Sequence, residues 1–349
     1  NSSMGVVSGG GPYRALPVRE YYLLNGYNKF HSERERPNVM NYESLSQTLP
    51  EDALWPQNSL WGLHDYCLVG AQGAALFNQM VEKVFGRTEN ARQFTEYVQW
   101  INYNGYRGMF EGRGKFRKGL LLWMSHPAWP SLVWQTYDYY FDPTAAFFSC
   151  KKASEPIHIQ WNSVFDTIEV VNYSGRKRTE LIARAQIINM DGSVQWKKET
   201  TVESNEDTTV KCFKLDFPAT CSQMHFIKLT LTEKGKTISD NFNCRGIEDG
   251  NYQALNQLPV VKLQKSTRIK KSGENWMLTT TLKNKSDTPM LMVRLKVLGE
   301  NSKERMLPVF FSDNYVSIMP GEEKKIVMRL NDRDTRGEKP SVEISGFNI

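Results

Sequence analysis

Two periodicities divide this chain near Pro156. Before it, apolar positions recur at helical spacing. Ala74 to Phe85 is one such stretch and Thr88 to about Glu111 a second. In the second, Phe94, Tyr97, Val98 and Ile101 form an i, i+3, i+4, i+7 stripe that predicts core packing. Gly112 and Gly114 end that helix. From Gly119 to Met124 a short apolar run has the length of a buried strand. Asp142-Pro143 reads as a helix start, an N-cap acceptor followed by a ring preset for the first turn. Lys151 and Lys152 fall near that helix's C-terminal end, where positive charge is favoured, and Pro156 stops it. Upstream, a strand is expected near 27–32. Residues 1–26 read as irregular, with GGGPY as a tight turn, and 34–73 as a long excursion rich in Trp and Pro.

After Pro156 the period shortens to two. IHIQW, TIEVVNY, LIARAQIINM, TTVKCFKLDF and HFIKLTL are short β-branched runs punctuated by turn signals such as Asp191-Gly192 and Lys234-Gly235. A second set begins near Pro259: VVKLQKSTRI, WMLTTTLKN, MLMVRLKVLG, MLPVFF, KKIVMRL and SVEISGF. TIEVVNYSG echoes LTTTLKNKSD, each a strand ending in an Asn-x-Ser turn. Such spacing predicts two immunoglobulin-like β-sandwiches, over 157–247 and 258–349, with a linker at about 246–258.

Composition narrows the class. At 40% hydrophobic and 12% aromatic residues the chain is ordered, and its 349 residues suffice for two or three domains. The net charge of +6 is modest and both signs are interspersed. The basic stretch Lys262 to Lys271 lacks interleaved aromatics, so it reads as a solvated sheet face and not as a nucleic-acid footprint. No apolar run approaches the roughly 18–20 residues that span a bilayer. No membrane or nucleic-acid partner is therefore expected. None of Cys67, Cys150, Cys212, Cys221 and Cys244 forms C-x-x-C, and no metal site is expected. Cys212 and Cys221 can pair only if they lie on facing strands; isolated thiols are the equal alternative. Asn172-Tyr-Ser and Asn284-Lys-Ser are glycosylation sequons of a kind that also arises by chance.

The densest chemistry lies in W-M-x-x-x-A-W-P-S-L-x-W-Q-x-Y-D, from Trp123 to Asp138, continuing into K-K-A-x-E-P-I-H-I-Q. This run resembles glycoside hydrolase family 2, in the branch of exo-β-glucosaminidases, endo-β-mannosidases and β-mannosidases. There it is the eighth strand and helix of a (β/α)8 TIM barrel, leading into a β-sandwich. The motif F-H-S-E, Phe30 to Glu33, followed by Pro37-Asn38-Val39 and Asn41-Tyr42-Glu43-Ser44-Leu45, is similar to the family's strand seven. P-V-F-F-S-D-N-Y-x-S-I-M-P-G-E, from Pro308, is similar to its terminal sandwich. The resemblance covers nearly the whole chain. It implies a fold in which 1–156 is the C-terminal part of a TIM barrel, with strands seven and eight, followed by the two sandwiches.

Carried over by position, Glu33 is the catalytic nucleophile. Trp123 stands where relatives place a Trp beneath the sugar ring, with a barrel-core indole as the alternative, and His126 is placed either to donate to a sugar hydroxyl or to orient the loop. Trp129, His64 and Asp65 are further candidates for substrate contact, with loop fastening an even alternative for His64 and Asp65. A retaining glycosidase needs a second carboxyl about 5–5.5 Å from the nucleophile. Glu43, Asp65, Glu111 and Asp138 are available, but none occupies the family's acid/base position. Glu35 stands where relatives often have Gly. It either raises the pKa of Glu33 or faces solvent with Arg34 and Arg36, and solvation is the commoner fate of a charge run. His158 and His225, in strand patterns, are expected to be surface or core residues without chemistry.

The resemblance implies hydrolysis of β-linked glucosamine or mannose in an oligo- or polysaccharide, with no cofactor. It also implies that the missing N-terminal part of the same enzyme is a partner and that the chain alone is inactive, its first 155 residues being poorly packed or held only by docking on the sandwiches or by a partner chain. The rival reading is a noncatalytic carbohydrate-binding or scaffold β-sandwich protein.

Overall fold

The computed structural model describes residues 13–25, 30–67, 73–112 and 119–349. Strands β1 (Phe30–Arg34) and β2 (Gly119–Leu122) pair in parallel, with Phe30 opposite Gly119 and His31 opposite Leu120. Tyr13 bridges Glu35 in the same sense, so three chain segments run side by side. The strand expected near 27–32 is seen from Phe30 onward, Tyr27 to Lys29 lying outside the described residues. Residues 1–26 are not wholly irregular: α1 (Val18–Asn25) packs on α5 (Ala91–Glu111). Of GGGPY, only Tyr13 is described.

The stretch 34–73 is not an open loop. It folds into α2 (Tyr42–Thr48), a 3-10 turn (Glu51–Ala53) and α3 (Ser59–Leu63). Asn58 caps α3 by accepting from the Leu60 N–H. The buried Trp61 indole donates to the Ala53 carbonyl at 3.0 Å. α4 spans Ala74–Phe85, as its periodicity predicts. α5 starts three residues later than expected, because the Asn90 side chain caps it by accepting from the Gln93 N–H. Its stripe of Phe94, Tyr97, Val98 and Ile101 is buried.

α6 (Ala145–Ala153) does not start at Asp142-Pro143; Thr144 is its N-cap residue. The Asp142 carboxylate is taken instead by Arg294 Nη2 at 2.7 Å and Arg305 Nη1 at 2.9 Å. Lys151 and Lys152 do fall in the last turn of α6.

The first sandwich faces a three-stranded sheet, β3 (Ile157–Asn162), β4 (Thr167–Asn172) and β7 (Thr208–Lys214), against a four-stranded one. The latter has the order β6 (Val194–Ser204), β5 (Arg178–Asn189), β8 (Met224–Glu233) and β9 (Lys236–Gly246). The second sandwich repeats the division. Its four-stranded sheet has the order β10 (Gln264–Ser272), β11 (Asn275–Lys283), β15 (Glu323–Asn331) and β13 (Phe310–Phe311). Its three-stranded sheet has β14 (Val316–Ile318), β12 (Met290–Gly299) and β16 (Pro340–Ser345).

The echo between the sandwiches is a shared device. Asn172 Oδ1 accepts from the backbone N–H and hydroxyl of Ser174, and Asn284 Oδ1 does the same with Ser286. The Asn172 amide donates to the carbonyls of Arg176, Ser204 and Asn205, and that of Asn284 to Thr288 and Ile318. Both side chains are buried. The two sequons are thus turn-forming Asx motifs whose amide nitrogens are already committed.

The helical part packs on the second sandwich, one of the arrangements expected for the first 155 residues. Ile159, Val170, Leu181, Ile227 and Leu229 belong to a core closed within the first sandwich. The larger core is continuous from Val39, Phe94, Trp100 and Phe148 into Val293, Leu295, Leu278 and Met328 of the second sandwich. The segment expected as a linker is packed as well. Tyr252 N donates to Val84 O at 2.7 Å, and Asn256 Nδ2 to Phe85 O at 2.6 Å. The five cysteines are free thiols.

Candidate active site

Glu33 is the penultimate residue of β1, and Trp123 directly follows β2. Both therefore sit at the C-terminal ends of parallel strands. Trp123 N donates to Arg34 O at 3.2 Å, and Met124 N to Trp134 O at 3.2 Å. The segment after β2 is thereby tied to the end of β1. The Tyr13 hydroxyl donates to the Glu33 carboxylate. The Tyr13 ring lies 6.0 Å from that of Trp134, whose backbone adopts a positive φ of 54°. Tyr13, Glu33 and Trp134 thus form one group. Trp123 is 42% exposed beside it.

A second group lies farther along the same loop. Trp129 donates its indole N–H to Asp65 Oδ2 at 3.0 Å and stacks on the His64 ring at 5.1 Å. His64 Nδ1 donates to Pro130 O at 2.7 Å, and its carbonyl accepts from Leu132 N at 2.6 Å. His64 and Asp65 therefore fasten the end of α3 to the loop after β2. His126 is held within that loop, stacked on Phe141 at 4.7 Å and tilted against Tyr137 at 5.4 Å. Its Nε2 is buried and has no hydrogen-bond partner among the described residues.

The charge run Arg34-Glu35-Arg36 is not solvated; all three side chains are buried. Residues of α1 and α5 pack against the strand end, and the Tyr106 hydroxyl donates to Arg36 O at 3.2 Å. Arg36 sits over the Tyr21 ring at 5.7 Å and fills a notch at Gly105, where a Cβ would come within 1.1 Å of its guanidinium. Glu35 is fully buried, and neither carboxyl oxygen has a hydrogen-bond partner among the described residues. Burial pushes its pKa up to about 9 against the lowering effect of Arg36. Glu35 is thus a neutral acid near pH 7 and puts no charge beside Glu33.

A polar lattice behind this strand end was not foreseen. Asn102 Nδ2 donates to Pro37 O at 3.1 Å and to Asn38 Oδ1 at 2.6 Å, and Asn38 donates to Gln135 O. Gln99 Nε2 donates to Val39 O at 2.7 Å while its Oε1 accepts from Ala145 N at 2.9 Å. Two side chains three residues apart on α5 thus pin the segments after β1 and β2 to one another. The available signal was Gln99 and Asn102 inside a helix otherwise assigned to the core. Tyr13 was missed because GGGPY reads only as a turn.

The other carboxylates have structural partners. Glu43 accepts from Arg294 Nη1 at 2.7 Å and Lys296 Nζ at 2.8 Å. Glu111 accepts from His158 Nε2 at 2.9 Å, Asn241 Nδ2 at 2.6 Å and the Tyr22 hydroxyl at 2.9 Å. Asp138 accepts from the N–H groups of Tyr140 and Asp142. Among the described residues no three His, Cys, Asp or Glu side chains could together hold a metal ion, and no helix is long and apolar enough to cross a membrane.

Comparison with known proteins agrees with this architecture. Residues 241–349 match the exo-beta-D-glucosaminidase Ig-fold domain. Over 97% of its length the chain is 27% identical to the exo-beta-D-glucosaminidase of Amycolatopsis orientalis, of which it covers 36%. Over 83% it is 25% identical to the mannosylglycoprotein endo-beta-mannosidase of Lilium longiflorum, of which it covers 37%. The fold superposes on the crystal structure of the A. orientalis exo-chitosanase with a TM-score of 0.87 at 24% identity, over 97% of this chain and 44% of that one. The chain thus spans well under half the length of the curated relatives it matches. Its resemblance to glycoside hydrolase family 2, in the glucosaminidase and mannosidase branch, runs through nearly all of it, and its homologues are glycosidases.

Proposed function

We propose that this chain is the nucleophile-bearing C-terminal part of a retaining glycoside hydrolase acting on β-linked glucosamine or mannose residues. Residues 1–156 supply strands seven and eight of a TIM barrel, and 157–247 and 258–349 are the accessory sandwiches. The observation that carries this reading is the place of Glu33. It stands at the C-terminal end of one of two parallel strands, hydrogen-bonded by Tyr13 and followed across β2 by an aromatic loop. Active sites of β/α barrels are built at that end.

Glu33 attacks the anomeric carbon while a second carboxylic acid gives its proton to the departing glycosidic oxygen. Water then cleaves the glycosyl ester, and that second group takes the water's proton. The Tyr13 hydroxyl holds the Glu33 carboxylate in place until the carboxylate turns to the sugar. Trp123, half exposed, floors the glycone subsite. Trp129 lines the outer rim, held by His64 and Asp65. His126 turns its buried Nε2 toward a sugar hydroxyl. Glu43, Glu111 and Asp138 are engaged elsewhere, and Asp65 holds Trp129. The acid/base therefore comes from the rest of the enzyme, and no cofactor is needed.

Labelling with a 2-deoxy-2-fluoro glycoside tests the assignment. In the full-length enzyme, the label should map to Glu33, and Glu33→Gln should abolish turnover without lowering the melting temperature. A label on another carboxylate would disprove the role. Hydrolysis of an aryl β-glucosaminide by the 349-residue chain alone would disprove the division between the two parts of the enzyme. Carbohydrate binding by a full-length protein that neither hydrolyses nor takes the label would favour a noncatalytic binding module.

A further inference from the structure

The outer face of the second sandwich's four-stranded sheet carries five cations against one acid. Strand register places Lys270, Met277, Arg329 and Phe310 in one row across β10, β11, β15 and β13. The next row is Arg268, Thr279 and Val327, then Ser266, Thr281 and Lys325, then Gln264, Lys283 and Glu323. Leu278, Thr280 and Leu282 point the other way into the core, so these rows face outward. Lys270, Arg268, Arg329, Lys325 and Lys283 are all exposed. None of the five forms an ion pair among the described residues, and Glu323 is the one acid in the four rows. Phe310 is 72% exposed at one end of the row that also holds Met277.

Lysines on an edge strand commonly serve to prevent strand addition. That explains Lys270 on β10 but not Lys283, Lys325 and Arg329, which lie on the inner strands β11 and β15. The corresponding face of the first sandwich behaves differently, Arg184 pairing with Glu199 across β5 and β6 at 2.6 Å. Clustered like charges on neighbouring strands oppose folding, and a bound polyanion relieves them. The cations are spread over rows about 7 Å apart and strands about 5 Å apart. That suits a chain carrying anions at repeated intervals better than a single small anion. Phe310 and Met277 between them offer apolar surface to the faces of sugar rings.

We propose that this face binds an acidic polysaccharide, one bearing a carboxylate or sulfate on successive residues. The choice of a polysaccharide over other polyanions rests on the glycosidase reading given above. The site is separate from Glu33 and needs no turnover. It would hold the enzyme on acidic glycans.

The full-length enzyme should be titrated at low salt with polygalacturonate, with neutral mannan and double-stranded DNA as comparisons, and labelled with the fluorosugar in parallel. Polygalacturonate should bind, with affinity falling as salt is raised. The triple variant Arg268→Gln/Lys270→Gln/Arg329→Gln should bind on the order of tenfold or more weaker. A variant with Lys303→Gln and Lys339→Gln, outside these rows, should bind as the wild type does. Should the triple variant unfold, Lys283→Gln/Lys325→Gln replaces it with the same expectation. Absence of binding, equal binding by the substituted face, or equal binding of DNA would overturn the proposal. Fluorosugar labelling is read separately. Loss of polymer binding with Glu33 still labelled removes only this face, and binding without labelling removes only the catalytic assignment.

Discussion

β5 and β12 are central strands of the two sandwiches, yet they meet different surroundings. Along β5, Leu181, Ala183, Ala185 and Ile187 are buried while Ile182 and Arg184 reach solvent. Along β12, every residue from Met290 to Gly299 is buried. One face of β12 closes the sandwich core. The other meets the helical layer, where Arg294 and Lys296 meet Glu43, and Arg294 also meets Asp142. The first sandwich therefore keeps a core of its own and joins the larger one only at one end, through Ile188, Met224, Phe226 and Cys244, whereas the second is one half of that larger core. The difference teaches that a strand's alternation reports which residues share a face, not whether water lies on that face.

Glu43→Gln tests this contrast most severely. It should cost about 3 kcal/mol, the low end for removing one partner of a buried ion pair, because Asp142 and Glu343 still face the two cations. Hydrogen exchange should quicken in α5 and β12 together and stay unchanged in β5 and β8. Equal loosening of β5 would show that the sandwiches are not energetically distinct. The effect depends on pH. Burial alone would raise the Glu43 carboxyl, but Arg294 and Lys296 hold it well below its ordinary value of 4.5. Its contribution is complete above that ordinary value and is lost as pH falls through the depressed one.

Leu229→Ala should cost about 2–4 kcal/mol as a cavity confined to the first sandwich. Exchange should rise in β5 and β8 but not in α5. A matching rise in α5 would mean that the two cores unfold as one.

The junction between α5 and the first sandwich should be sensitive to pH on both sides. Burial opposes a charged His158, but hydrogen bonds to Glu111 and Glu155 raise its pKa above 6.5. Burial likewise opposes charge on the two carboxylates. Arg107 and His158 nonetheless lower Glu111, and His158 and Lys152 lower Glu155. The histidine's contribution is present below 6.5 and lost as pH rises through the raised value. The carboxylates' contribution is present above about 4.5 and lost as pH falls through theirs. His158→Gln should lower the melting temperature most in the mildly acidic window and flatten its alkaline decline. A variant that loses stability equally at all pH values would argue against the charged cluster.

The smallest effect expected is from the Asx turns. Asn172→Ala and Asn284→Ala should each cost roughly 1–2 kcal/mol in lost side-chain hydrogen bonds. Only Asn284→Ala should be felt in the helical layer, as faster exchange in α5. The same response from Asn172→Ala would erase the distinction between the two sandwiches.

Much was legible in the chain because it depends on neighbours in sequence. The period-two runs placed the sandwich strands, the Asn-x-Ser echo marked equivalent turns, and α4 began and ended where its periodicity did. The F-H-S-E and W-M motifs located the two strand ends that pair in parallel. What was misread depends on partners far away. Asp142 resembled a helix cap until Arg294 and Arg305 claimed it, and Arg34-Glu35-Arg36 resembled a solvated run until α1 and α5 covered it. The sequence by itself determined the local elements and the candidate nucleophile, through periodicity, turn chemistry and motif. Only the tertiary structure decided which charges lost their water, since burial of a side chain is set by what packs over it. That decision made Glu35 a neutral acid, tied β12 to the helices, and left the outer cations of β10, β11 and β15 without ion pairs among the described residues.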